Sequence, residues 1–390
     1  ALVVLDNLPI SSSFLNSLNP DDIETTTVLK GANAAALYGS QAANGVIMLT
    51  SNMGSKKGPK IGVTHTTTIE KVAFFPKLQS QFGAASTEGD YKDPLTGYFP
   101  HVPFENQQYG GEYNGMTYPL GVPVRYTNAA GQIIDTMQSV VYSNKNAIKS
   151  FFNTGITNQD ALSYSNGDEN GTFYLSGQYV NTSGTIPDDK SNRTSIRMAG
   201  TRHYGRFDAS ASATYTRFNS NVAGADYNQG RPVYWNVLNT PGEIDLRKYK
   251  DPNFLFSDES NFYNAYYPNP YWQILNSRIV SQRDDFLGSA ELNFKAADWA
   301  KFTYRIGIAT SNTQSKTTIG GVTFSDYAIS DPAGASNAAS GFPNGVKPQE
   351  GDNLGIYSTI QSDLLGTFTK DFMQGDLQTT LIVGGSVNKE

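Results

Sequence analysis

The run RFDASASATYTRF at 206–218 repeats with a period of two. Phe207, Ala209, Ala211, Ala213 and Tyr215 fall on one side of an extended chain, and Asp208, Ser210, Ser212, Thr214 and Thr216 on the other, because successive side chains of a strand point to opposite faces. The same alternation sets Phe286, Ala290, Leu292 and Phe294 against Ser289, Glu291 and Asn293, and Phe302, Tyr304, Ile306 and Ile308 against Lys301, Thr303, Arg305 and Gly307. Working outward gives about nine strands, near 60–72, 159–166, 172–182, 192–203, 206–218, 284–295, 299–314, 356–370 and 377–388. One such run alone reads as a half-buried strand of a soluble antiparallel sheet.

The connections change that reading. They alternate long (73–158, 219–283 and 315–355, with a moderate 183–191) and short (Gly167–Gly171, Tyr204–Gly205, Ala296–Asp298, Met373–Asp376). Outer-membrane barrels have short turns at one end and long loops at the other, and long structureless loops are uncommon in compact domains. The all-β chain therefore reads either as a soluble antiparallel sheet or as an antiparallel transmembrane β-barrel. Its long loops are expected outside the cell, with Phe207, Ala209, Ala211 and Tyr215 toward lipid and Asp208, Ser210, Ser212 and Thr214 toward the lumen.

Composition agrees. The chain has 390 residues, with 29 Lys and Arg against 35 Asp and Glu, a formal net charge of −6 and only 16% charged residues, where an ordinary soluble domain has about 25%. Gly numbers 37, Tyr 23 and Phe 21. The absence of cysteine excludes a disulfide scaffold, a Cys-ligated zinc site, an iron–sulfur cluster and a Cys nucleophile. The acidic balance and lack of a basic run argue against a nucleic-acid partner. No apolar run approaches the roughly 20 residues of a membrane-spanning helix. Residues 1–10, ALVVLDNLPI, lack the basic start and small-residue cleavage site of a signal peptide and read as a strand in mid-sequence, so the expectation is a chain that starts inside a longer protein.

Residues 1–52 follow a different pattern. Val3-Val4-Leu5 reads as a strand. Asn19-Pro20-Asp21-Asp22-Ile23-Glu24 has the signature of a helix start, with Asn19 as cap, Pro20 at the first position and acids in the first turn. Val28-Leu29 ends a second strand, Ala32 to Tyr38 reads as a short helix closed by Gly39, and Gly45 to Thr50 reads as a third strand. The Gly, Lys and Pro of 51–60 form a linker.

The run VVLDNLP at 3–9, followed by LNPDDIETTTVLKGANAAALYGSQAANGVIMLT at 18–50, resembles the end of the plug of SusC/RagA-type TonB-dependent transporters. The matching residues are Asn19, Pro20, Asp21, Ile23 and Glu24; Leu29, Lys30 and Gly31; Leu37, Tyr38 and Gly39; and Ala43, Asn44 and Gly45. Weaker likeness continues at Ile148–Gly155, Ser183–Pro187 with Asn192-Arg193, and Asn269–Trp272. The resemblance implies the C-terminal part of a plug domain at 1–52, a linker at 53–59 and the N-terminal portion of a barrel at 60–390. Large plugged transporters have about 22 strands, so an internal stretch of a longer protein is expected. The resemblance further implies the outer membrane of a Bacteroidetes-type bacterium, and import of an oligosaccharide or peptide powered by a TonB complex acting on a plug segment upstream. It also implies a SusD-like lipoprotein as lid.

Enzyme signatures are missing: there is no Walker A run, G-x-S-x-G or H-E-x-x-H. His65, His101 and His203 match no metal-ligand spacing. The adjacent pairs Asp21/Asp22, Asp188/Asp189 and Asp284/Asp285 cannot supply facing acid and base from one strand. No catalytic residue and no resident cofactor is expected; a weakly held calcium ion at the Asp188/Asp189 loop is the one exception entertained, although its spacing is not that of an EF-hand. The stretch 227–275 concentrates aromatics, which either pack a core of the loop, form a membrane-interface girdle or meet a partner. Tyr234 and Trp235, beside Gly230 and Pro232, are the expected contacts to cargo or lid. Two other functions fit the strands: a surface all-β carbohydrate-binding or adhesin protein, and a barrel serving as a structural partner in a larger envelope complex. The first does not account for the run at 3–50; the second keeps the barrel, and the sequence does not separate it from transport.

Overall fold

The computed structural model describes residues 2–30, 42–84, 110–264, 267–323, 344–372 and 377–389. β1 (Leu2–Leu5), β2 (Leu8–Ile10), β3 (Ile23–Leu29) and β4 (Val46–Ser51) make a four-stranded sheet in the order β2-β1-β4-β3. Asp6 and Asn7 join β1 to β2 with φ of 48° and 68°. Two consecutive left-handed residues form the hairpin turn whose twist matches its strands, and Asp and Asn tolerate that conformation best after glycine. β1 runs parallel to β4, with Leu2 opposite Val46. Gly45 has φ +87°, and a Cβ there would lie 2.9 Å from the Leu29 carbonyl oxygen, so the residue entering β4 has to be glycine.

The helix expected from Asn19 does not form. Asn19 Oδ1 caps Asp21 N at 3.1 Å as anticipated, but the helical geometry lasts one 3₁₀ turn, Pro20–Asp22. The β-branched run that follows is claimed by β4, with Val28 opposite Ile47, and this pairing outweighs the local helix signal. The helix expected at 32–38 lies outside the described residues.

Next come β5 (Lys60–Glu70), β6 (Thr117–Thr127), β7 (Ile133–Val141), β8 (Gly155–Asp168), β9 (Gly171–Ser183), β10 (Lys190–Tyr204) and β11 (Phe207–Ala223). After two short helices, α1 (Val233–Leu238) and α2 (Pro270–Asn276), follow β12 (Ser277–Ala297), β13 (Ala300–Ile319), β14 (Val322–Thr323), β15 (Gly345–Val346), β16 (Gln349–Phe372) and β17 (Leu377–Lys389). A single nine-stranded sheet joins β17-β16-β13-β12-β11-β10-β9-β8-β5, each strand antiparallel to its neighbours in the sheet. This is the all-β, barrel-type meander read from the alternation. The central strands are longer than expected: β12 has 21 residues, β13 20 and β16 24, against the roughly 9–11 that cross a bilayer.

The two faces of this sheet differ. The outward face carries Leu162, Ile196, Met198, Leu292 and Ile306, all exposed. Near the short turns it is edged by paired aromatics: Phe207 stacked on Phe294 with centroids 4.8 Å apart, and Trp299 and Phe302 about Phe368. An apolar band with an aromatic border is the lipid-facing surface of an outer-membrane barrel. The inward face is small and polar, and the four-stranded sheet packs against it: Leu287 and Ala309 of the wall join Val3, Leu5, Leu8, Ile10, Phe14 and Leu49 in one buried cluster. At Gly307 an added Cβ would fall 2.5 Å from Leu8, so a small residue there lets the wall close on the inner sheet.

At the end with the long connections, β6, β7, α1 and α2 pack into a second core around Leu120, Val140, Phe151, Val237, Tyr249 and Ile274. The β6–β7 hairpin was not anticipated.

Candidate functional site: the contact between inner sheet and wall

The functional side chains lie where the inner sheet meets the wall. Asp6, held by the left-handed turn, accepts from Ser51 N at 2.8 Å and from Ser51 Oγ at 2.5 Å. Its other partner is Arg197 of β10, 3.5 Å away, with both side chains buried. The Arg197 guanidinium also donates to Ser51 Oγ and, at 3.0 Å, to Thr214 Oγ1 of β11.

A second group of contacts surrounds the 3₁₀ turn. Asn19 Oδ1 accepts from Gln178 Nε2 of β9 at 2.5 Å, and Gln178 Oε1 accepts from Arg193 at 2.6 Å. Tyr174 donates its hydroxyl to Asp22 at 2.9 Å. Burial pushes the Asp22 carboxyl above the ordinary carboxylate range, a shift that the Ser176 and Tyr174 hydroxyls and Arg197 only partly offset. Ser17 donates its hydroxyl to Asp285 of β12, receives Arg283 Nη2 at 3.0 Å, and its carbonyl accepts from Thr216 at 3.1 Å. Asp285 is further held by Ser311 at 2.6 Å and Arg283 at 3.1 Å. The plug bonds land on β9 through β12, four adjacent staves, and Ser311 of β13 braces Asp285 from within the wall.

Every bond in this network is polar, and each has a counterpart available in water. That makes the contact specific in register but modest in net energy per bond, about 0.5–1.5 kcal/mol. Water can take over these bonds as the inner sheet leaves the wall, while the apolar patch at Leu287 and Ala309 adds a cost of exposure.

Of the residues singled out in the sequence, Asn19 is buried in this contact and Gly45 shapes the entry to β4. Ile23 and Leu29 are half-buried on β3, while Pro20, Asp21, Glu24, Lys30, Ala43 and Asn44 are exposed. Gly31, Leu37, Tyr38 and Gly39 lie outside the described residues. Sequence reading missed Asp6, Ser17 and Ser51 on the inner side and Arg197, Gln178 and Asp285 on the wall. A signal was present: Arg197 interrupts Ile196 and Met198 on the face opposite theirs, in mid-strand, where a charge needs a partner.

The aromatics of 227–275 mostly build the loop core. Tyr227, Tyr249, Phe256, Phe262, Tyr263 and Tyr271 are buried. Trp235 is half-exposed on α1, whereas Tyr234 turns toward Phe152 at 5.9 Å and Phe75 at 6.4 Å. Glu259 is buried, accepting from Tyr227 Oη at 2.8 Å and Asn269 N at 2.9 Å, and burial drives its carboxyl well above the ordinary range. Asp189 accepts from Ala223 N at 2.7 Å and Arg278 Nη1 at 3.1 Å. Among the described residues no three His, Asp or Glu side chains converge on a common metal position.

An inner sheet fastened inside an outward-apolar meander defines a plugged outer-membrane β-barrel. Residues 1–46 match the TonB-dependent Receptor Plug Domain family. TonB-dependent receptor P39 of Formosa agariphila is 26% identical over 53% of this chain and 18% of its own. TonB-dependent receptor SusC of Bacteroides thetaiotaomicron is 39% identical over 22% of this chain and 9% of its own. In fold, the RagAB peptide importer in its open-open state superposes on 99% of this chain and 40% of that chain, with a TM-score of 0.68 at 16% identity. The chain thus spans less than half the length of the proteins it matches. The plug match at residues 1–46, the SusC relative and the RagAB fold together support a SusC/RagA-type TonB-dependent transporter, a β-barrel of the bacterial outer membrane.

Proposed function

We propose that the receptor containing this chain imports a nutrient, an oligosaccharide or a peptide, across the outer membrane of a Bacteroidetes-type bacterium. The carrying observation is the contact just described, in which Asp6, Ser17, Asn19 and Asp22 of the plug are held by wall residues through polar bonds that water can replace. A TonB complex, pulling on plug sequence upstream of these residues, breaks the bonds and opens a path along the wall. A SusD-like lipoprotein covers the long-loop end and captures cargo, with Trp235 among the surfaces it or the cargo meets. The RagAB neighbour is a peptide importer, which favours peptides as the first cargo to try. No step calls for a catalytic residue.

The test is uptake by a strain lacking the receptor, complemented with the intact gene. Growth on oligosaccharide or peptide mixtures should require it, and uptake should stop when the proton-motive force is dissipated. Undiminished growth of the deletion strain on every such source, or uptake that survives dissipation, refutes the reading.

A further inference from the structure

Successive rows of cross-strand partners on the outer wall change character with distance from the short turns. Leu162, Ile196, Tyr215 and Phe286 share an apolar row. Two residues farther from the short turns the row mixes charged Asp160, Arg217 and Asp284, the last two 2.7 Å apart, with Tyr179, Thr194 and Asn312. The next row carries a carboxamide on six consecutive strands: Asn158, Asn181, Asn192, Asn219, Gln282 and Gln314, each the register partner of the one before. At about 4.8 Å between strands the row runs for roughly 24 Å.

Its height is fixed by the strand. Asn219 lies twelve residues beyond Phe207 of the aromatic border, about 40 Å along the strand and roughly 30 Å along a barrel axis tilted by about 40°. The apolar band of such barrels is about 25 Å tall. Asn219 therefore stands at the headgroups of the outer leaflet. The row, perpendicular to strands tilted by about 40°, crosses that zone obliquely with a rise of roughly 15 Å from end to end, facing sideways into the membrane surface. Its middle members line an open groove of about 690 Å³. Asn219 Nδ2 donates to Asn192 Oδ1 at 3.0 Å, which leaves each amide further donors and lone pairs. Charge gathers at the groove's upper edge, with Lys190, Asp352 and Lys316, the last bonded to Glu350 at 2.5 Å, and the amide row below it is uncharged.

We infer that this row binds the sugar headgroups of an outer-leaflet glycolipid, whose acyl chains lie against the apolar rows below. A carboxamide offers donor and acceptor side by side, the complement of neighbouring sugar hydroxyls. A repeat of six at strand spacing suits an extended saccharide better than a single phosphate. The groove is on the outside of the wall, so this binding is independent of cargo import and its failure leaves the transport reading intact.

The test uses the full-length receptor in nanodiscs containing either lipopolysaccharide with intact core sugars or sugar-free phosphatidylethanolamine, with bound lipid counted by native mass spectrometry. The wild type should retain the sugar-bearing lipid preferentially. The triple variant Asn192→Leu, Asn219→Leu, Gln282→Leu should lose that preference, with retention down about tenfold, while heat-modifiable barrel assembly and uptake persist. Asn219→Leu alone should give a smaller loss in the same direction, and serves if the triple variant fails to assemble. Equal retention of phosphatidylethanolamine by the wild type, unchanged retention by the variants, or loss of a co-purifying protein in place of the lipid would overturn the assignment.

Discussion

Asp6 of the plug and Arg197 of β10 face each other at 3.5 Å, their side chains only 9% and 4% exposed. Removing one partner of a buried pair strands the other charge and costs about 3–5 kcal/mol, while replacing both with apolar groups is often neutral. Asp6→Ala or Arg197→Met should therefore lower the melting temperature of the purified receptor and sensitise cells to large antibiotics through a loosened plug. The double variant should recover much of the stability. Equal melting of single variants and wild type would show that the pair does not hold the plug.

Gly54 leads the chain from the plug to the wall with φ +99°, and a Cβ there would lie 2.6 Å from the Phe173 carbonyl oxygen. Backbone cannot move aside as a flexible side chain can. Gly54→Ala should cost about 1–3 kcal/mol, read as a lower urea midpoint with the barrel strands still formed. Gly58, also at positive φ but with nothing within 4 Å, is the control and should lose less.

The outward face makes a depth-dependent prediction. Met198 and Ile306 are exposed in the apolar band, and arginine there should cost roughly 2–4 kcal/mol in lipid. Arginine at Asn192, six residues farther from the short turn than Met198, should cost near zero. Folding titrations into lipid vesicles compare the three, and equal costs at all depths would refute the placement of the band.

The same depth explains what could be read from the sequence. Alternation between apolar and polar faces located all nine strands because it reports the membrane band. It stopped short at 284 for β12, at 356 for β16 and at 218 for β11, whereas these strands reach Ser277, Gln349 and Ala223. Above the band Asn219, Asn221, Gln282 and Gln314 are as polar as the Ser220 and Ser281 that face inward, so the period-two signal disappears while the backbone pairing continues. The plug motif identified Asn19 and Gly45, whose roles are local. Arg197 and Asp285 were invisible as site residues because their partners, Asp6 and Ser17, are more than 190 positions away and only the closed fold brings them together.

Tyr234 and Trp235 should behave differently, although they are adjacent. Tyr234 packs on Phe152, so Tyr234→Ala should loosen the loop core and make residues 224–276 more sensitive to protease. Trp235 is half-exposed, so Trp235→Ala should leave protease resistance unchanged while reducing uptake or lipoprotein binding severalfold, as truncating an exposed aromatic anchor does. Normal uptake by a correctly assembled Trp235→Ala receptor would remove this residue from the contact surface.

Glu259 ties the long-loop core to pH. It is buried beneath Tyr227 and Asn269 N, and burial raises its carboxyl well above the ordinary 4.5. The folded loop therefore holds a proton that the unfolded loop releases, and stability falls with pH wherever the folded state binds more protons. The contribution is full below about pH 4.5 and is lost as pH climbs through the raised folded value. Amide exchange in 255–276, corrected for intrinsic rates, should show stronger protection at pH 5 than at pH 8. Glu259→Gln keeps the shape without the titration. Its amide nitrogen cannot accept from both Tyr227 and Asn269 as the carboxyl oxygens do, so protection should drop overall while its pH dependence flattens. Protection that rises from pH 5 to pH 8 in the wild type, or a slope unchanged in Glu259→Gln, would show that another group governs the loop.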